Sequence, residues 1–416
     1  MFNVQTHEAG AVGAGLLMFL LLFAGYFMLR PVRETLGIAG GVDNLQWLFT
    51  GTFLATLIAM PVFGWLTSQV PRRLILPWTF AFFTLNLLVF AAGLAVAPDH
   101  VWLGRAFYIW LSVFNLLTIS LAWSVLADVF VTTQAKRLFA LMAAGASVGG
   151  LSGPILTTLL VVYLDHAGLL VLSALLLTGS AVAGMWLQRW GDRQLSLAAS
   201  ASRRTSLGGN PFAGVTAVFK SPYLSMIAVF VLLLASVSTF LYFEQARVVA
   251  ETFSDRTRQT QVFGIIDIVV QCLTLLAQLF LTGRIAQRLG VGVLLVTLPL
   301  VVACGFLWLA LAPVFAVFVV VMVLRRAGEY AFVRPGREML YTVVSAEDKY
   351  EAKNFIDTVV YRGGDALSGW LKRGLDLLAE QPSLAMYIGA ALALVWALTG
   401  GLLGRWEQQR EAGLRG

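Results

Sequence analysis

Ala11-Val-Gly-Ala-Gly-Leu-Leu-Met-Phe-Leu-Leu-Leu-Phe-Ala-Gly-Tyr-Phe-Met-Leu29 runs without a single charged side chain. At about 1.5 Å of rise per residue, such a run nearly spans the roughly 30 Å hydrocarbon core of a bilayer. No basic stretch precedes it and no small-residue cleavage site follows, so it reads as a retained helix rather than a signal peptide. Working outward, similar apolar runs recur to the end of the 416-residue chain. They fall at 11–29, 46–69, 74–97, 101–127, 138–163 and 167–188, then at 222–249, 260–283, 291–311, 313–344, 352–379 and 383–404. The expected fold class is therefore all-α integral membrane, with about twelve transmembrane helices.

Composition agrees. Apolar and aromatic residues make up 59% of the chain and charged ones only 12%, about half the share usual in a soluble domain. The mean hydropathy is +0.81. The net charge of +7 is spread through short loops rather than gathered on one element, which argues against nucleic acid as a partner. Basic residues such as Arg72, Arg73, Lys136, Arg137, Arg189 and Arg193 favour one side, as expected if both termini are cytoplasmic in a bacterial inner membrane.

Arg189 to Ser221 is rich in Ser, Gly, Arg and Gln, and marks a linker. The expected organisation is a first six-helix bundle over 1–188, a linker over 189–221, and a second bundle with a short tail over 222–416. Within the linker, Pro211 to Lys220 would place Phe212, Val215, Val218 and Phe219 near one face of an interfacial helix. The segments after the second and eighth spans, Gly64-Trp-Leu-Thr-Ser68-Gln-Val-Pro-Arg72-Arg73 and Gly283-Arg284-Ile-Ala-Gln287-Arg288-Leu-Gly290, read as matching loops about 220 residues apart, the signature of a duplicated unit. Spans three, six, nine and twelve lack charges in their apolar cores and are expected to face lipid, leaving the first helix of each three-helix unit to line the centre.

Ionisable groups inside spans carry the functional expectation, because a charge at mid-bilayer costs about 2.5 to 3.5 kcal/mol on insertion scales. Arg325 and Arg326 begin roughly 18 Å along a helix starting at Pro313, with Glu329 one turn on. Pro335 and Gly336 should kink that helix and free carbonyls toward a cavity, and Arg334 and Arg337 are expected near the cytoplasmic surface. In span one, Tyr26, Arg30 and Arg33 share a face and Glu34 can pair back to Arg30, while Pro31 limits how far the helix continues. Glu244 and Arg247 stand three apart in span seven. Asp267, Gln271, Thr274 and Gln278 stripe span eight; Asp357, Tyr361, Asp365, Ser368 and Lys372 stripe span eleven, with Arg362 beside them. Such stripes belong beside water. Gly145, Gly149 and Gly153 stand four apart in span five and are expected to pack against the opposite half.

Tyr26 to Glu34, Phe107 to Phe130, and Arg334 to Asp365 resemble bacterial relatives of the ATP/ADP (nucleotide) translocases of plastids and intracellular bacteria, and the paired glycine segments resemble those of the major facilitator superfamily. The resemblance covers most of both halves and implies two pseudo-symmetric six-helix bundles and exchange of nucleotides or other phosphorylated anions. Ser68 and Gln287 stand where that superfamily usually has Asp, and Arg362-Gly-Gly leads to Asp365 rather than to a basic residue.

The resulting expectation is a secondary transporter working by alternating access, as antiporter or proton-coupled carrier. Its small anionic solute would be held by Arg30, Arg33, Arg325, Arg326, Tyr361 and Arg362. Glu244, Asp267, Glu329, Asp357 and Asp365 would balance those cations or couple transport, and Gly145, Gly149, Gly153, Pro335, Gly283, Gln287 and Arg288 would serve gating or packing. The competing classes are a non-transporting sensor or scaffold and a lipid flippase. No phosphate-binding Gly-x-x-x-x-Gly-Lys segment, catalytic constellation, metal-ligand spacing or cofactor motif is present in the sequence, so an enzyme is not expected. A monomer satisfies all of these readings.

Overall fold

Hydrocarbon offers backbone groups no partners, so chains rich in Leu, Ala, Phe and Val must bond internally, and a helix does this within one segment. The computed structural model describes residues 4–130, 132–194, 214–345, 352–378 and 382–415, and these are helical almost throughout, with no strand among them. We number the spanning helices α1 (Ala9–Ala39), α2 (Leu45–Gln69), α3 (Arg72–Val96), α4 (Val101–Val129), α5 (132–164), α6 (166–194), α7 (Pro222–Thr252) and α8 (Arg256–Leu289). They continue with α9 (Val291–Leu311), α10 (Phe315–Gly328, extended through Glu329–Val333 and Arg334–Leu340), α11 (352–378) and α12 (Pro382–Arg415). A short helix, Val215–Lys220, precedes α7.

The α5–α6 stretch is one continuous helical run broken at Asp165, whose φ of 52° and ψ of -169° are not helical. The Asp165 carboxylate accepts the Gly168 N–H at 3.0 Å, which caps the start of α6. Ser221 caps α7 in the same way, accepting from Leu224 N–H at 3.4 Å, with Pro222 at the first helical position where its missing N–H is harmless. Each expected span is present. Several run past their expected ends, and Pro31 does not stop α1, which continues to Ala39; a membrane helix tolerates proline where local adjustments and neighbours serve the freed groups. The glycine segments expected as matching loops are helical too, since Gly64 lies in α2 and Gly283 in α8. The turns come later, at Val70–Pro71 and at Gly290, whose φ is 84°.

Contacts gather the chain into two compact units. The first comprises Met1–Gly40, Ile58–Gly209 and Asp255–Ile268; the second comprises Gly41–Leu57, Asn210–Ser254 and Val269–Gly416. Thus the opening segment of α2 packs with elements of the second unit, and the opening segment of α8 with elements of the first. In the first unit the core is built on α1, with Phe19, Phe80, Phe107 and Phe114 fully buried. The glycines of α5 meet α1 there, rather than the opposite half. A Cβ on Gly145 or Gly149 would strike the carbonyl oxygens of Leu16 or Leu20, and one on Gly153 would lie 2.6 Å from that of Ala24. Small residues let two backbones touch, and these face the helix of their own unit.

The second unit centres on α7, with Phe230, Phe240, Phe306, Phe318 and Trp396 in its core. Helices α1 and α7 each bury 56% of their apolar window, and α3 only 28%, as an outer helix should. However, α9 and α12 bury 50%, because they pack on one another through Gly292 and Gly404. Each still exposes large apolar side chains on its other side, among them Leu300 and Leu307 of α9 and Leu394 and Leu398 of α12. Phe219 does not join the expected apolar face of the short helix: it is exposed, whereas Val218 is buried. Phe212 lies outside the described residues.

Candidate functional site

Helix α10 leaves regular geometry where its charges are densest. After Arg325 and Arg326 it forms a π-turn over Glu329–Val333, closed by the Arg334 N–H on the Glu329 carbonyl. π-turns inside α-helices recur at functional sites. Pro335 follows and has no N–H for the carbonyls behind it. Those carbonyls were expected to open toward a cavity; side chains of α8 take them instead. Gln278 Nε2 donates to the Tyr330 carbonyl at 3.1 Å and Thr282 Oγ1 to that of Ala331 at 2.8 Å. Gln278 and Thr282 are themselves the ends of a π-turn in α8, so the two irregular segments complete one another.

A third π-turn, Ile356–Val360, interrupts α11. Between it and α10 lies a cavity of about 330 Å³, lined by Glu329, Val333, Arg334, Arg337, Glu338, Lys353, Asp357, Tyr361 and Arg362, with Leu234 of α7. Arg334 and Arg337, expected near the cytoplasmic surface, line this cavity, the first exposed and the second partly buried. Sequence reading missed Lys353 and Glu338 as well, although Glu338 closes the basic-acidic run that starts at Arg325.

Most of the cavity's cations are already engaged. Arg337 Nη2 lies 3.0 Å from Asp357 Oδ1, Lys353 Nζ 2.6 Å from Glu338 Oε2, and Arg362 Nη1 3.6 Å from Asp365 Oδ2. Arg334 differs. It is exposed, its guanidinium stands over the Tyr330 ring at 4.9 Å, and among the described residues it makes no ion pair. A guanidinium resting on an aromatic face keeps its in-plane N–H donors available.

Farther along α10, Arg325 and Arg326 are buried, as their position in the span predicts. Arg325 faces Glu329 at 3.2 Å and donates to Ser238 Oγ of α7 at 2.5 Å. The α11 stripe was expected beside water, but Asp365 and Ser368 are closed against α7, Asp365 accepting from Thr239 at 3.2 Å and Ser368 meeting Ser236 at 2.8 Å, while Lys372, buried, pairs with Asp376 of its own helix. Only Asp357, Tyr361 and Arg362 reach the cavity. Ser236, Ser238 and Thr239 were overlooked in the sequence, though three hydroxyls clustered in an apolar helix are the kind of group that bonds across helices in lipid.

The other expected site residues lie apart from this cavity. Arg33 pairs with Glu34 at 3.3 Å, donates to the Tyr108 hydroxyl at 3.3 Å and stands over that ring at 4.3 Å; Arg30 stands over Phe27 at 5.2 Å. Both belong to the first unit, as does Asp267, which is buried. Glu244 pairs with Arg247 in a separate crevice of the second unit. Gly283, Gln287 and Arg288 are exposed on the last turns of α8, and a side chain on Gly283 would meet nothing.

The fold and its charged interior can be set against known proteins. The family model described as Major Facilitator Superfamily matches residues 11–333. The chain belongs to the Major Facilitator Superfamily. It is thus a multi-pass integral membrane protein of a transporter family, with the twelve-helix fold expected above. No curated protein sequence matches this facilitator chain. Among solved structures it resembles a bacterial homologue of the iron transporter ferroportin in an inward-facing state, at 15% identity and a TM-score of 0.65, covering 96% of this chain and 98% of that one. It also resembles the POT family transporter PepTSo, at 12% identity and a TM-score of 0.68, with 96% and 98% covered. A third likeness is to the human organic anion transporter MFSD10, at 14% identity and a TM-score of 0.60, with 95% and 100% covered. Identities this low speak to the fold alone.

Proposed function

We propose that this facilitator protein carries a small anionic solute, an organic phosphate or nucleotide-like molecule, by alternating access between a first bundle over 1–188 and a second over 222–416. Exchange of two anions or coupling to protons would drive it, with both termini on the cytoplasmic side of an inner membrane. One observation carries the reading: Arg334 presents a guanidinium that makes no ion pair among the described residues, inside a cavity whose other cations are matched to carboxylates. Intramembrane ionisable groups are costly, and one left without a protein partner invites a partner from solution. Guanidinium forks suit carboxylate and phosphate oxygens.

Arg325, Tyr361 and Arg362 keep a role as the polarised wall behind Arg334, and Glu329 and Asp365 hold the wall's cations in place. Arg326 shares that helix. Arg30 and Arg33 supply the first unit's own cationic groups, and Asp267 a buried carboxylate in the same unit. The test is uptake of radiolabelled organic phosphates and nucleotides into proteoliposomes, with and without a pH gradient. Arg334→Gln should abolish most uptake while Arg334→Lys retains part of it. Uptake of an anion undiminished by Arg334→Gln would refute the assignment.

A further inference from the structure

Arg337 is only half used. Its Nη2 faces Asp357 Oδ1 at 3.0 Å, but Nε is buried without a hydrogen-bond partner, and Asp357 Oδ1, also buried, gains no well-aligned hydrogen bond from the contact. Nε and Nη2 lie on the same edge of the guanidinium and form a two-pronged donor that an oxyanion can fill with two oxygens. Asp357 touches one prong. A partly satisfied pair in a low-dielectric cavity is poorly stabilised compared with a complete one.

The lining of the cavity sets out the alternatives open to each group. Arg334 stands one turn before Arg337 on α10, its guanidinium over the Tyr330 ring and, among the described residues, in no ion pair. Asp357 sits within the π-turn Ile356–Val360, a segment already departed from regular helix. Four residues before it on the same helix is Lys353, now paired with Glu338 at 2.6 Å. A carboxylate that leaves Arg337 therefore has a cation on its own helix to turn toward, at the i, i+4 spacing that lets side chains meet.

We infer that Asp357 is an internal stand-in for the solute: its carboxylate holds the Arg337 fork while the cavity is empty, and a tetrahedral oxyanion of the solute displaces it, bridging Arg334 and Arg337. This rests on the reading that the cavity is the solute site, and adds the class of group recognised and the residue that competes with it. Competition of this kind lowers affinity and keeps the empty cavity from exposing two bare guanidinium groups. A carrier built so binds its anion at the expense of an ion pair and restores that pair on release.

The experiment uses the purified full chain, with inorganic phosphate as probe, and reads dissociation constants by calorimetry together with the phosphate-dependent rise in Tm. Asp357→Asn removes the competitor, so phosphate should bind about tenfold more tightly, with a lower Tm in its absence and a larger rise on addition. Asp357→Glu, whose longer side chain reaches farther onto the fork, should weaken binding. Arg334→Gln should weaken it by about tenfold or more. Phosphate binding that is sensitive to Arg334→Gln, yet unchanged or weakened by Asp357→Asn, overturns the stand-in role and leaves the site intact. If Asp357→Asn does not fold, binding unchanged or tightened by Asp357→Glu has the same force. Absence of phosphate binding to the unaltered protein, or indifference to Arg334→Gln, overturns both the site and the inference.

Discussion

Thr282 donates its hydroxyl hydrogen to the Ala331 carbonyl, 2.8 Å away, and Ala331 is the residue whose α-helical donor would have been the missing N–H of Pro335. A side chain of α8 thereby repairs a bond that the proline of α10 removes. Thr282 is buried, so no water replaces it. Thr282→Val keeps the shape and removes the donor. It should cost about 1–3 kcal/mol, the penalty for a buried unsatisfied carbonyl, seen as a lower Tm in detergent. Thr282→Ser should retain most of the stability, and Pro335→Ala, which restores a backbone donor, should soften the loss.

The contact of α5 with α1 leads to a second expectation. Gly149→Val inserts a side chain where the Leu20 carbonyl oxygen already lies against the α-carbon. Overpacking of this kind costs typically about 1–3 kcal/mol, and here the obstacle is backbone, which cannot rotate away. Thermal unfolding should show a large drop. The matched change Gly283→Val meets open space and should leave Tm nearly unchanged.

Glu8, just before α1, is buried and holds Arg137 at 2.7 Å and Gln134 at 2.9 Å. Burial alone would raise its carboxyl above the ordinary 4.5, but the Gln5 N–H, Gln134 and Arg137 outweigh that and bring it below. A depressed folded value means stability is fully present above about pH 4.5 and is lost as pH falls through the lower folded value. Tm measured against pH should therefore decline on the acid side, and Glu8→Gln should flatten that decline while lowering the plateau at neutral pH.

His166, the first residue of α6 beside the Asp165 break, places Nε2 2.9 Å from Thr260 Oγ1 of α8, which itself lies 2.8 Å from Thr35 Oγ1 of α1. Burial and the nearby Arg256 hold the imidazole below its ordinary 6.5, against the pull of Asp165 and Asp255. The neutral ring thus stabilises the fold above about pH 6.5, and this contribution falls as pH drops through the folded value. Acidification from pH 7.5 to 5.5 should lower Tm more in the unaltered protein than in His166→Gln. Equal pH dependence in the two would exclude the imidazole as the responsible group.

Hydropathy alone made the twelve spans legible, because length and apolarity are set by the bilayer. Ends were harder: α1 runs on through Pro31 to Ala39, since a proline breaks a helix only where nothing else serves the freed group. The buried arginines of α10 were readable for the same reason as the spans. What the sequence hid was how each arginine of that helix is engaged. Arg325 and Arg334 look alike in a sequence, yet Ser238 and Glu329 occupy the first, whereas the second stands over the Tyr330 ring and makes no ion pair among the described residues. Those partners come from α7 and from the π-turn, and a change of helical register by one residue has no signature in hydrophobic periodicity. The partner of the α5 glycines was likewise invisible, because a small-residue stripe says how closely a neighbour approaches and not which neighbour it is.

Because the carbonyls of Leu16, Leu20 and Ala24 rest directly on the bare α-carbons of Gly145, Gly149 and Gly153, α1 and α5 have no layer of side chains between them to shear. They must travel as a single beam. Any displacement of Arg30 or Arg33 near the far end of α1 is then delivered, without slack, to the Asp165 bend where α5 ends.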